Sequence, residues 1–153
     1  MPEYRPRGMY FEDYQVGAEI VTHGRTITET DVVNFAGVSG DFTTIHTDAE
    51  FAKTTPFGER ISHGLLGLSV ATGLAAQMGF IEGTVIAFTG LDWKFKGAIK
   101  FGDTIHLSTK VKKLKAMRAA GGGFVVFDAR ILNQRGETVQ QGEWTLLVKS
   151  KPA

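Results

Sequence analysis

The sequence predicts an α+β fold in which an antiparallel sheet wraps around one long, buried helix. Three features carry that prediction. Residues 62–80, SHGLLGLSVATGLAAQMGF, are apolar nearly all round, as a helix without a solvent face should be. Residues 105–112 and 124–132 alternate apolar and polar side chains with period two. The strand-like segments of the C-terminal half are joined by connections too short for parallel crossovers.

Each element follows in order. Residues 18–26 form a strand candidate after a polar start. Thr28-Glu29-Thr30-Asp31 resembles a capping box, with Thr28 as N-cap and Asp31 reaching back to its backbone. Val32, Val33, Phe35, Ala36 and Val38 then fit one short helix, weakened at its end by Gly37 and Gly40. Thr47-Asp48-Ala49-Glu50 reads as a second capping box, and Pro56 and Gly58 close the short helix that it opens. The stretch between, SGDFTTIH, is expected to be a connector.

Ser62 is placed to cap the long helix and Gly79 to end it. Small residues along it, Gly67, Ser69, Ala71, Gly73, Ala75 and Ala76, let other backbone approach closely. Residues 84–96 look like a strand. Ile105, Leu107, Thr109 and Val111 mark the next, Val125, Phe127, Ala129 and Ile131 another, and residues 139–149 the last. Gly121-Gly122-Gly123 separates two of them, and the connector 133–137 contains Gly136, a hairpin signal. The expectation is a four-stranded antiparallel meander with a fifth strand upstream. Trp93, Phe95 and Trp144 are candidates for subunit contact.

With 153 residues the chain is long enough for one domain with a real core, and residues 1–153 are read as a single domain. A net charge of +1 provides no general electrostatic case for nucleic acid, whose phosphates call for concentrated Lys and Arg. The absence of cysteine excludes disulfides, thiolate catalysis and cysteine zinc sites, and fits a reducing compartment. The N-terminus lacks the apolar run of a signal peptide, and the longest apolar run, residues 64–76, is shorter than the ~20 residues that span a bilayer. A cytoplasmic protein without membrane or nucleic-acid partners is expected.

The chemistry concentrates in SGDFTTIHTD. Asp41 and His46 would point about 140° apart on a continuous helix, but a connector can fold both toward one cavity. A histidine titrates near neutrality and moves protons either way, and an aspartate beside it can hold a water or orient the ring. The same residues are compatible with Asp41 capping a turn and His46 being a satisfied, partly buried histidine. Gly64, in the first turn of the long helix, offers a backbone N–H without an intrahelical partner at the end where the dipole favours negative charge. That N–H could polarise a carbonyl, or the glycine could simply ease packing.

The segment FAGVSGDFTTIHTDAEFAKTTPFGERISHGLLGLSVATG resembles the MaoC-like, or (R)-specific enoyl-CoA hydratase, family. That family's pattern runs through an aromatic, a small residue, Gly-Asp-x-Asn-Pro-aliphatic-His, a short helix, and His-Gly at the central helix start. The match falls on Phe35, Ser39, Gly40, Asp41, Ile45, His46, Ala52, His63 and Gly64. FEDYQVGAEI, from Phe11, and FGDTI, from Phe101, are also similar to the group. Thr43-Thr44 stands where family members carry Asn-Pro, so hydroxyl bonding replaces a proline-fixed turn.

The resemblance implies a hot-dog fold, usually completed as a homodimer and possibly a higher oligomer. It also implies reversible hydration of trans-2-enoyl thioesters to (R)-3-hydroxyacyl thioesters, with Asp41 and His46 activating one water and the Gly64 N–H receiving the thioester oxygen. Thr72 corresponds to a site where relatives place a hydroxyl near the catalytic pair, and His63 and Ser62 would support the cavity. No cofactor is implied: CoA or an acyl carrier protein enters as part of the thioester substrate. A metal at Asp41, Asp48, His46 and His63 ranks well below metal-free chemistry, since no HExxH or facial-triad spacing is present. Lys94, Lys96, Lys100 and the run Lys110, Lys112, Lys113, Lys115 and Arg118 could meet phosphates or form a solvated face. A hot-dog thioesterase and an acyl-thioester-binding module without turnover stand as alternatives, because the fold hosts more than one chemistry.

Overall fold

The computed structural model describes residues 7–153. Its centre is helix α4 (Gly64–Gln77), whose buried side is formed by Leu66, Leu68, Val70, Ala71, Leu74 and Ala75. Around it lies an antiparallel sheet of β1 (Glu19–Val21), β3 (Val85–Phe95), β4 (Thr104–Met117), β5 (Gly122–Leu132) and β6 (Thr138–Lys149), in the order β1-β4-β5-β6-β3. The two-residue strand β2 (Arg25–Thr26) pairs with β4 off that path. The alternation read from the sequence holds: Ile105, Leu107, Thr109 and Val111 of β4 and Val125, Phe127, Ala129 and Ile131 of β5 are buried. These rows join the α4 side chains in a single core cluster, and α4 packs on β4 and β5. Among the described residues no helix is long and apolar enough to cross a membrane.

Four expectations need correction. The four C-terminal strands are not one consecutive meander: β4, β5 and β6 are, and β3 is displaced. Strand β3 pairs with β6 at the far edge, so the chain must cross the end of the sheet to reach β4. Residues 96–103 make that crossing, pinned by Lys96 and Gly97 N–H to the Val139 carbonyl and by Ser62 N–H to the Ile99 carbonyl. The single strand at 18–26 is two, because the Thr22 hydroxyl accepts the Leu107 N–H and interrupts the main-chain ladder. Helix α4 is not buried all round: Leu65, Ser69, Gly73 and Ala76 form an exposed stripe at helical spacing. Trp144 is not a surface residue, since it sits mid-sheet opposite Phe127 and Leu91 and is 3% exposed.

Between β2 and α4 the chain forms three short helices, α1 (Glu29–Ser39), α2 (Thr44–Thr47) and α3 (Ala49–Lys53). Helix α1 opens with the capping box read from the sequence: the Asp31 N–H donates to the Thr28 hydroxyl at 3.2 Å, and the Thr28 N–H donates to the Asp31 carboxylate at 2.9 Å. It ends at Gly40, whose φ of 75° is the left-handed conformation that terminates a helix and turns the chain toward Asp41.

Two glycine substitutions should separate steric from propensity effects. A Cβ on Gly142 would sit 1.9 Å from the Asp92 carbonyl oxygen of the paired strand, whereas one on Gly37, within α1, meets nothing within 4 Å. Urea unfolding should show Gly142→Ala less stable than wild type by about 1–3 kcal/mol or more, and Gly37→Ala more stable by about 0.5–1 kcal/mol.

Candidate active site

The turn after α1 brings Asp41 back toward the start of α4. The Asp41 carboxylate accepts the Thr43 hydroxyl at 2.6 Å and the Thr43 N–H at 3.1 Å. Thr43 therefore builds a side-chain-stabilised turn. Those two bonds, with smaller help from the His63 and His46 rings, hold the Asp41 carboxyl below its ordinary value of 3.8 despite a small opposing desolvation. Asp41 is thus an anion throughout the neutral range.

The connector is not wholly irregular. Residues Thr44–Thr47 make one helical turn that carries His46. Thr47 is not the cap of the following helix: Asp48 is, its carboxylate accepting the Phe51 N–H at 2.9 Å. That assignment leaves Asp48 in the turn, as a capping residue. The His46 ring bonds through Nδ1 to the Ile61 carbonyl at 2.7 Å. A carbonyl only accepts, so Nδ1 carries the proton and the neutral ring presents an unprotonated Nε2.

His63 lies directly beneath. Its ring stacks on His46 with centroids 3.8 Å apart and an interplanar angle of 28°, and the Phe35 ring lies 5.0 Å from it, tilted by 56°. Its Nε2 donates to the Asp41 main-chain carbonyl at 2.9 Å, while Nδ1 is buried without a partner among the described residues. A carboxylate oxygen of Asp41 and one ring nitrogen from each histidine lie within 4.8 Å of one another. The structure therefore joins Asp41, His46 and His63 into one cluster. Bonds from the other ring nitrogens to carbonyls are compatible with metal ligation, and a zinc ion would need the three ligand atoms to converge at ~2.0–2.1 Å.

Gly64 is the first residue of α4, and His63, not Ser62, is its N-cap. The Ser62 hydroxyl instead donates to the His63 carbonyl at 3.1 Å and is buried. Among the described residues the Gly64 N–H has no hydrogen-bond acceptor. Gly64 and His46 line one cleft of about 480 Å³, together with Phe57, Phe95, Lys96 and Gln140. The crossover residues 96–99 form one of its walls. Thr72 is not part of this group: its hydroxyl donates to the Ser69 carbonyl at 2.7 Å, and it lines a separate apolar cavity of about 170 Å³ with Ala75, Phe127 and Trp144.

The comparisons can now be set beside this geometry. Residues 13–124 match the family model described as the MaoC like domain. The chain belongs to the MaoC-like family. It is 42% identical over 118 residues to the protein MaoC of Klebsiella aerogenes, covering 75% of this chain and 35% of that longer one. It is 32% identical over 142 residues to the (R)-specific enoyl-CoA hydratase of Rhodospirillum rubrum, covering 93% of each. A solved structure described as a monoamine oxidase regulatory protein from Archaeoglobus fulgidus superposes with a TM-score of 0.88 at 38% identity, covering 95% of this chain and 97% of that one. The sheet wrapped on α4 is the hot-dog arrangement of MaoC-like proteins.

Within this MaoC-like frame, sequence reading missed two contributors. Ile61 acts through its main-chain carbonyl, which no side-chain pattern reveals. Gln140 is a buried polar residue in an otherwise apolar row of β6, and that interruption was the available signal. Of the basic candidates, Lys100 pairs with Glu59 at 2.5 Å and Lys110 with Glu19 at 3.2 Å, and Lys112 pairs with Glu143. Lys96 stands at the cleft.

The Thr43 contacts make a titration prediction. In Thr43→Val the Asp41 carboxyl, followed by carbon NMR, should titrate higher than in wild type and closer to 3.8. Because folding lowers this group's pKa, its stabilising contribution is complete above the unfolded value and fades as pH falls through the folded one. The Thr43→Val protein should accordingly lose less stability than wild type on acidification across that interval.

Proposed function

We propose that this protein catalyses the reversible hydration of trans-2-enoyl thioesters to (R)-3-hydroxyacyl thioesters, without a metal or other cofactor. The observation that carries this reading is that His46, Nδ1-protonated, lines one cleft with Gly64, whose N–H is unpaired, and has the ionised Asp41 carboxylate within 4.8 Å of a ring nitrogen. The name of the Rhodospirillum rubrum relative supports the same reaction class, and the enzyme is a hydro-lyase by that class.

In the forward direction a water is held between the Asp41 carboxylate and His46 Nε2. The imidazole takes one proton as the oxygen bonds to C3. The C2=C3 electrons move onto the thioester, whose oxygen gains charge at the Gly64 N–H. The imidazolium then returns its proton to C2 from the same side, so the elements of water are added and both side chains recover their starting states. A positioned acid–base group contributes about 10²–10⁴ in rate, and one oxyanion donor about 3–4 kcal/mol of transition-state stabilisation. Asp41 supplies charge and orientation, and remains unprotonated throughout.

The acyl group arrives on CoA or on an acyl carrier protein, and Lys96 at the cleft offers a positive charge to an anionic carrier arm. The protein works as a homodimer: edge strand β3 exposes Ile86, Phe88, Leu91 and Phe95, and α4 exposes Leu65, apolar surface that a second copy would cover. The cysteine-free composition fits a cytoplasmic setting.

Incubation with short, long and branched trans-2-enoyl-CoAs tests the assignment directly. Loss of the conjugated thioester without release of thiol is expected, whereas release of thiol would point to a thioesterase. Asp41→Asn and His46→Gln should each lower kcat/KM by about 10²–10⁴ with melting temperatures close to wild type. Unchanged rates in both would remove the pair from the reaction. Chelators should leave the wild-type rate within about twofold, since lone pairs arranged for proton transfer need no Lewis acid.

A further inference from the structure

Gln140 is a fully buried glutamine on β6, 1% exposed, at a position where an apolar side chain would complete the pattern. Its neighbours fix its orientation. The Trp93 indole N–H can only donate and the Gly64 carbonyl can only accept. Gln140 Oε1 therefore takes the Trp93 Nε1–H at 2.9 Å, and its Nε2 donates to the Gly64 carbonyl at 2.9 Å. The two bonds run from β3 through β6 to the first residue of α4.

The helix is cut to receive this side chain. A Cβ on Gly67 would lie 2.6 Å from Gln140 Nε2 and 2.5 Å from Ile99 Cδ1, and a Cβ on Gly64 would lie 2.7 Å from the Phe95 ring. Both glycines leave room for β6 and β3 to press on the first turn. Gln140 and Gly64 also line the same cleft. A saturated side chain could fill the volume at 140, but it could not tie the Gly64 peptide to the sheet.

We infer that Gln140, braced by Trp93, is a positioning residue for the hydration reaction: it locks the first turn of α4 so that the Gly64 amide stays aimed into the cleft. This rests on the function proposed above. Donor placement matters at this scale because a displacement of about 1 Å can cost on the order of 10²-fold in rate.

Gln140→Met keeps the approximate volume and removes both bonds, and Trp93→Phe removes the brace alone. With an enoyl-CoA, kcat per folded active site should fall at least tenfold in Gln140→Met and less in Trp93→Phe. KM should stay within about threefold and the pH profile should be unchanged, since Asp41 and His46 are untouched. Amide hydrogen exchange in the first turn of α4, at the hydrogen-bonded Leu66 to Leu68, should accelerate in both variants. A kcat within twofold of wild type in the variants, or a displaced pH profile, would overturn the inference. If wild type itself fails to hydrate enoyl thioesters, the proposed function is lost. The exchange data still decide whether Gln140 locks the helix start, and wild-type exchange in the variants would refute it. Should Gln140→Met not fold, Trp93→Phe carries the same measurements.

Discussion

A single 2.7 Å bond, from the His46 ring to the Ile61 carbonyl, sets the chemical character of the site. It selects the tautomer, aims the free nitrogen, and ties a four-residue helical turn to the strand-like segment leading into α4. That segment is itself held on both sides. The Ile61 N–H donates to the Ile45 carbonyl, and Ile61 bridges to Lys100 of the crossover. A ring so anchored loses little orientational freedom when substrate binds, and pre-organisation of this kind is how a modest pair of side chains becomes effective.

The crossover between β3 and β4 explains why the site lies at this end of the sheet. Because β3 pairs at the far edge, residues 96–103 must pass the start of α4, and in doing so they wall the cleft and receive Ser62 and Ile61. His63 then fills the space between the fold and the chemistry. It stacks on His46, holds the Asp41 main chain, and precedes Gly64. Its Nδ1 remains buried without a partner among the described residues, a cost of about 1–3 kcal/mol for such a group. An apolar residue there would avoid that cost but would give Asp41 no donor.

Much of this was legible in the sequence because the relevant forces are local. The Thr28–Asp31 box, the period-two rows of β4 and β5, and the GD…H and HG signatures around Asp41, His46 and Gly64 are patterns over a few residues. What was not legible depended on long-range pairing. Nothing near Val85 tells it to pair with β6 in place of β4, and nothing in Ser62 shows that its hydroxyl turns to the His63 carbonyl while His63 itself caps the helix. Thr72 lies on the right helix but eight residues beyond Gly64, about 12 Å along the axis, and its hydroxyl closes locally on Ser69. Ile61 contributes a carbonyl, and Gln140 a contact across 76 positions. Neither could be read from spacing.

The most direct measurement is a crystal structure with butyryl-CoA, a saturated thioester that can bind but cannot be hydrated. The thioester oxygen should lie about 2.7–3.1 Å from the Gly64 nitrogen, with C3 facing a water shared by the Asp41 carboxylate and His46 Nε2. A thioester bound with its oxygen turned away from Gly64, or with C3 remote from both side chains, would contradict the mechanism.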